Sequence, residues 1–376
     1  MRLSWIRNIF LFSTVVILAT SCSQPEFSKD EPLIEAKRPA VYISGQNNFL
    51  FAIDPNTGEK VWERFFGVNN IKQEPIVLGD YVMVNSDLGV VVLGVDKGNK
   101  LDTITSVDGH QLAGYISGEG LTIYSGTTDN FIIAYNYGTK SAVWGVQQSY
   151  PTAMSSAGSF YGNLFIVHIN TTLYAMDKTQ GASLAWSNPI GPVSNPVVSP
   201  PNIYAMNPTT GTLYAIDLET GASSWNLPTG SPVSGPVIVY GGYIIFGSDD
   251  NYLYCIDSIS HTPRWTYKTT ERIKGGAYCY DQAVYFGGYD HYVYSLNIVD
   301  GALNWRYRTG ALINGSPVAY DGTVYFPSYD QHLYAFDTSG SLKWKYKVNA
   351  PIDMSPVYNA LNNKVLYPAP SGLSNQ

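Results

Sequence analysis

Seven tryptophans stand at near-equal intervals along most of this chain, and no other feature narrows the possible folds so far. Trp62, Trp144, Trp186, Trp225, Trp265, Trp305 and Trp344 are separated by 82, 42, 39, 40, 40 and 39 residues. Self-similarity at a fixed period of roughly 20–50 residues is the mark of a repeat architecture. The first interval is two periods long, so one repeat has lost its tryptophan near Asp102 and the chain holds eight repeats.

Each repeat has the same internal order. Leu213 to Asp217 is an apolar run, Glu219-Thr220-Gly221 a turn, and Ser224-Trp225 opens the next run. The order recurs as Leu50 to Asp54 before Trp62, Leu173 to Asp177 before Trp186, and Leu333 to Asp337 before Trp344. Upstream lie further apolar runs such as Tyr243 to Phe246 and Thr323 to Phe326, and before those short stretches such as Pro236-Val237-Ile238 and Pro317-Val318-Ala319. Four short β-branched and aromatic runs parted by Gly, Asn, Asp and Ser turns predict four strands in a meander. Four antiparallel strands per repeat make the blade of a propeller, so the spacing predicts an all-β, eight-bladed β-propeller. The chain enters inside a blade at Val41-Tyr42-Ile43 and ends on Pro356-Val357-Tyr358 and Val365-Leu366-Tyr367. N- and C-terminal strands are therefore expected to share one blade, with one run of the second-strand type left over. The propeller is expected over residues 40–370, followed by a tail at 371–376.

The N-terminus reads as an export signal. Arg2 and Arg7 are followed by the apolar run Ile9 to Ala19 and by Ala19-Thr20-Ser21-Cys22. That run falls short of the roughly 20 residues a membrane helix needs, which fits a secretory signal instead. Small residues directly before a cysteine resemble the lipobox of bacterial lipoproteins. This resemblance implies cleavage after residue 21 and lipidation of Cys22 (palmitate among the acyl chains), with Ser23 pointing to the outer membrane. Residues 22–39 are polar, hold three prolines and show no periodicity, as expected of a tether. The chain's net charge of −7 becomes more negative once Arg2 and Arg7 are removed, which excludes nucleic acid as a partner. Cys255 and Cys279 could pair, although isolated buried thiols are the default for two cysteines in so large a body.

Residues 52–62, Ala-Ile-Asp-Pro-Asn-Thr-Gly-Glu-Lys-Val-Trp, and residues 215–225, Ala-Ile-Asp-Leu-Glu-Thr-Gly-Ala-Ser-Ser-Trp, resemble the tryptophan-docking repeat of quinoprotein-type (PQQ-like) propellers. The resemblance covers about residues 40–370 and implies that each tryptophan packs against the neighbouring blade. Within that group, an acidic eight-bladed lipoprotein is similar to the BamB-like outer-membrane assembly factors. This implies a non-enzymatic scaffold facing the periplasm and docking envelope proteins, the outer-membrane barrel assembly machine among them. In that family docking falls in the connections from outer to inner strands, here Val68 to Glu74, Thr269 to Lys274 and Asn349 to Ser355. One family loop has an acidic run before Thr-Thr-Pro, whereas Asp353-Met354-Ser355-Pro356 has a single acidic residue.

A second function uses the same repeat. A quinone-dependent dehydrogenase needs a calcium held by carboxylates, a catalytic carboxylate and cationic contacts to the quinone in the central channel. The segments expected to line the channel hold only Glu74, Lys274 and Asp353 as charged residues, expected from blades far apart in the ring, whereas a hard cation takes about six to eight oxygens. No catalytic, cofactor-binding or metal residue is therefore assigned. His110, His168, His261, His291 and His332 show no zinc-ligand spacing. Asp129, Asp250, Asp290 and Asp330 recur in one turn and read as turn caps. The third reading is a glycan or cell-surface ligand held by the tyrosine-rich last blades, which carry Tyr252, Tyr254, Tyr292, Tyr294 and Tyr334 among others.

Overall fold

The structure is a computed structural model and describes residues 37–181, 184–361 and 364–367. The signal, Cys22, most of the tether and the tail lie outside these residues. Strands and turns make up the whole described chain, in eight antiparallel sheets arranged as a ring. We number the blades by their outermost strands. These are Lys60–Phe65, Lys100–Ile104, Ser141–Gln147, Leu184–Asn188, Ser223–Pro228, Pro263–Lys268, Leu303–Arg308 and Leu342–Lys347, for blades 1 to 8.

Blade 1 closes the ring. Ala40–Ser44 pairs on one side with Phe49–Ile53 and on the other with Val357–Asn359 from the far end of the chain. The surplus run Val365–Leu366 does not stay unpaired, for it adds a fifth strand on the channel side of Val357–Asn359. Tyr367 then reaches blade 2, where its hydroxyl donates to the Val77 carbonyl (3.2 Å) and accepts from the Val77 amide (2.8 Å). Blade 3 also departs from four strands. Its inner strand His110–Glu119 is ten residues long, shifts register between Ser125 and Gly126 of its neighbour, and pairs with the short strand Ser106–Val107.

The repeat motif has a clear local purpose. In all eight blades the third and outer strands pair with a register shift, placed after Ala52, Val92, Ala134, Ala175, Ala215, Cys255, Ser295 and Ala335. An extra residue on one strand bends it and increases its twist, as β-bulges do. Seven of these positions lie opposite a tryptophan, and all seven are small, which leaves room for the indole. The motif aspartate caps the following turn. Asp217 Oδ1 accepts from the amides of Glu219 (3.1 Å) and Thr220 (2.8 Å) and from the Thr220 hydroxyl (2.7 Å), which holds its carboxyl below the usual range.

The indoles then join blade to blade. Trp186 of blade 4 lies across Gly221 of blade 5 and donates from Nε1 to the Leu218 carbonyl at 3.0 Å. A Cβ on Gly221 would sit 2.3 Å from that ring, and its φ of +70° already disfavours a side chain. The same arrangement pairs Trp62 with Gly98, Trp144 with Gly181, Trp265 with Gly301, Trp305 with Gly340 and Trp344 with Gly58. Two joints differ. Trp225 stacks on His261, with centroids 4.2 Å apart, and its buried Nε1 has no acceptor. Asp102, where the tryptophan is lost, faces Lys140 at 2.8 Å, and Lys140 (φ +57°) occupies the turn position taken elsewhere by glycine.

Candidate functional site

The outer-to-inner connections and the turns between second and third strands share one face of the ring, around the mouth of the central channel. A cavity of about 360 Å³ opens there, lined by the starts of the inner strands. Its rim holds the three charged residues expected from the sequence. Glu74 and Asp353 do not come from distant blades, however. They lie in adjacent blades 2 and 1, because the C-terminal strand completes blade 1. Glu74 Oε1 accepts from the Ser355 amide (3.2 Å), Asp353 Oδ2 accepts from Gln46 Nε2 (3.0 Å), and Lys274 Nζ lies 4.0 Å from Asp249 Oδ2. The sequence reading passed over Tyr367, whose fixed position at the cavity wall comes only from the added fifth strand.

Two acceptor carboxylates and one lysine, each engaged within the ring, do not fit a calcium and quinone pair. Among the described residues no three His, Cys, Asp or Glu side chains come together as a metal site would require. The histidines are scattered into separate roles. His110 pairs with Asp129 (2.6 Å), and His332 bonds its own turn at Asp330. His168 is buried between the Ser155 hydroxyl (2.8 Å) and the Gly191 carbonyl (2.9 Å), and burial lowers its pKa. Asp250, Asp290 and Asp330 cap their turns, accepting from the amides of Tyr252, Tyr292 and His332 and from the hydroxyls of Tyr254, Tyr294 and Tyr334 at 2.6–2.7 Å. Three of the noted tyrosines are thus engaged in structure. Cys255 and Cys279 are free thiols; Cys255 is fully buried, and desolvation pushes it up to about 12.

The connecting loops are braced. Thr269 Oγ1 donates to the Asn251 (2.8 Å) and Glu271 (2.6 Å) carbonyls, and Thr309 repeats the pattern in the next blade with His291 (2.9 Å) and Ala311 (2.7 Å). The amide of Ile273 bonds the Ser248 carbonyl, and that of Tyr289 bonds the Arg272 carbonyl. The Arg272 guanidinium lies 4.7 Å from the Tyr289 ring centroid. In the 68–74 connection Val68 is 91% exposed, and Phe65 at the end of the preceding strand, 55% exposed, stacks on Phe49 at 4.6 Å; their exposure was missed from sequence because isolated exposed apolar residues carry no periodic signal. This arrangement presents side chains on a braced backbone.

A sequence profile of the outer membrane protein assembly factor BamB matches residues 31–227 and 228–357. The chain belongs to the BamB family. BamB from Moraxella catarrhalis superposes with a TM-score of 0.62 at 17% identity, over 80% of this chain and 95% of that one. The computationally designed protein Ika8 gives 0.67 at 15% identity, over 82% and 98%. At these identities the two structures speak for the fold alone. No curated protein sequence matches the chain. The BamB-family match agrees with the repeat reading, and both the tryptophan-docking motif and the blade count are those of the ring described above.

Proposed function

We propose that this BamB-family propeller is a non-enzymatic scaffold of the cell envelope, anchored to the outer membrane through a lipidated Cys22 and facing the periplasm. It docks envelope proteins, in particular those that insert outer-membrane β-barrels, through the braced connections around the channel mouth. The observation that carries this reading is the loop face itself: a fixed rim with the exposed Val68 and the supported Arg272, beside a cavity whose carboxylates are already engaged. Rigid scaffolds carry their specificity in such loops. A lipid anchor suits the role, because two or more acyl chains hold a body stably at a membrane while leaving it mobile along it.

Crosslinking in intact cells from positions 68, 272 and 353, followed by mass spectrometry, tests the docking face. Capture of barrel-assembly proteins is expected; crosslinks only to cell-wall glycan or to another secretion system would overturn the reading. Intact mass of the membrane fraction tests the anchor separately. Acyl chains on Cys22 and loss of membrane retention in Cys22→Ala are expected, and an unmodified Cys22 would overturn that part. Quinone-dependent alcohol oxidation by the purified protein would refute the non-enzymatic part.

A further inference from the structure

Charge is distributed unevenly over the outer strands. Those of blades 6, 7 and 8 read Pro-Arg-Trp-Thr-Tyr-Lys, Leu-Asn-Trp-Arg-Tyr-Arg and Leu-Lys-Trp-Lys-Tyr-Lys. They hold Arg264, Lys268, Arg306, Arg308, Lys343, Lys345 and Lys347 and no acidic residue, in a chain of net charge −7. The outer strands of blades 3, 4 and 5 hold no charged residue at all. Charged residues on edge strands commonly guard against sheet-to-sheet pairing. That role would call for them on every blade, so it does not account for three adjacent blades with seven cations beside three with none.

All seven cations are exposed and alternate along the chain with half-buried or buried aromatic residues; Arg264 and Lys343 sit at the register shifts, and the other five are regularly paired. Only Arg264 joins an ion pair among the described residues, with Asp257 at 3.0 Å. Arg306 and Lys345 are instead held 4.9 and 5.9 Å from the ring centroids of Tyr292 and Tyr334. Each strand has a pairing partner on its inner side only, so its outer backbone groups are open. Acidic turns border these strands at both ends, with Asp257, Asp300 and Asp337 at one and Asp250, Asp290 and Asp330 at the other. A flat anionic surface would meet those carboxylates as well as the cations, whereas a partner one strand wide would not.

We infer that the outer edges of blades 6–8 bind an acidic polypeptide segment in extended conformation, with a carboxylate at every second residue. Side chains at alternate positions of a strand lie on one side at roughly 7 Å spacing, and Arg306 with Arg308 and Lys345 with Lys347 hold alternate positions in the regularly paired part of their strands. An added strand pairs its backbone with the open edge while the alternating side chains set specificity, and opposite charges facing each other across a strand pair are favourable. The inference goes beyond the loop-face reading and does not rest on it: crosslinks from the loops test that reading, and peptide binding at the edges tests this one.

Fluorescence anisotropy of a labelled peptide of six Glu-Thr repeats, titrated with the full chain, is the direct test. Saturable binding is expected, weakening steeply as salt rises from roughly 0.05 to 0.5 M. At least a tenfold loss is expected for the Arg306→Glu, Lys345→Glu double variant and for Arg306→Gln, Lys345→Gln, which guards against misfolding of the charge-reversed chain. Ser187→Glu in blade 4 should leave binding unchanged. A peptide of the same composition with its glutamates in one block, and a Gln-Thr peptide, should each bind at least tenfold more weakly. Equal binding of the block or neutral peptide, or undiminished binding by both double variants, would overturn the inference. So would capture of phosphatidylglycerol vesicles, or self-association, through these residues without peptide binding.

Discussion

Blades 4 and 5 are held together at their outer ends, and blades 2 and 3 at their inner ends. In the first pair Trp186 is 7% exposed, covers Gly221 and donates to the Leu218 carbonyl. In the second the outer contact is Asp102 with Lys140, whose side chains are 40% and 49% exposed. Its inner contact is buried and made of amides. Gln73 Oε1 accepts from the Ile116 amide (2.8 Å) and from Asn85 Nδ2 (3.0 Å), while Gln73 Nε2 donates to the Ile116 carbonyl (3.1 Å). Asn85 Nδ2 also reaches the Gly114 carbonyl (2.9 Å). From the missing tryptophan alone this joint looks weak. The lesson is that a blade interface can exchange apolar area at its rim for a satisfied polar clamp near the channel, since buried polar groups are costly only when unpaired.

The largest effect is expected at a tryptophan. Trp186→Ala should cost about 3–5 kcal/mol in urea unfolding, as large core truncations do; a loss well below 1 kcal/mol would mean that the indole does not carry its joint. Gln73→Ala should cost about 1–3 kcal/mol, because it leaves the Ile116 amide and carbonyl buried without their partner. An effect no larger than that of the outer ion pair would break the contrast drawn here. Gly221→Ala should cost a similar 1–3 kcal/mol by overpacking, since the new Cβ meets the Trp186 ring. The matching change Lys140→Ala, where no indole faces the turn, should cost only about 0–1 kcal/mol and less in high salt.

Acid titration sharpens the contrast further. Asp102 has a folded pKa below 3.8, first through its hydrogen bond with Lys140, so its contribution is present above pH 3.8 and is lost as pH falls through the lowered value. His168, lowered from 6.5 by burial, contributes above pH 6.5 and loses that contribution as pH falls through its lowered value. Unfolding followed against pH should therefore show a first loss of stability starting near 6.5 that is absent in His168→Gln. The loss below 3.8, to which Asp217 and other capping aspartates also contribute, should be reduced in Asp102→Asn. Persistence of the first loss in His168→Gln, or an undiminished second loss in Asp102→Asn, would place the titrating groups elsewhere. The tryptophan–glycine contacts contain no ionisable group and should be insensitive to the first loss, whereas the capping aspartates of their turns, Asp217 among them, feel only the acid end.

Much of this protein was legible in the chain. The period of the tryptophans gave the blade count, and the Ala-x-Asp-x-x-Thr-Gly-x-x-x-Trp motif is a complete local prescription. Its alanine leaves room for the indole across the bulge, its aspartate caps the turn, and its glycine receives the tryptophan of the preceding blade. The channel segments were also read correctly as sparsely charged, although Glu74 and Asp353 proved to be neighbours. Sequence order hides that proximity, because the residues are far apart along the chain and meet only when the last strand completes the first blade.

The sequence by itself determined the repeat, the strand pattern and the shared terminal blade, because these depend on local turn chemistry and on period-two burial repeated eight times. Only the tertiary structure decided where the surplus strand Val365–Leu366 goes, that Tyr367 ties blade 1 to blade 2, and that Gln73 clamps the joint without a tryptophan. It also decided that the cations of three outer strands form one arc. Each of these depends on residues brought together by closing the ring, and closure joins positions whose separation along the chain carries no local signal.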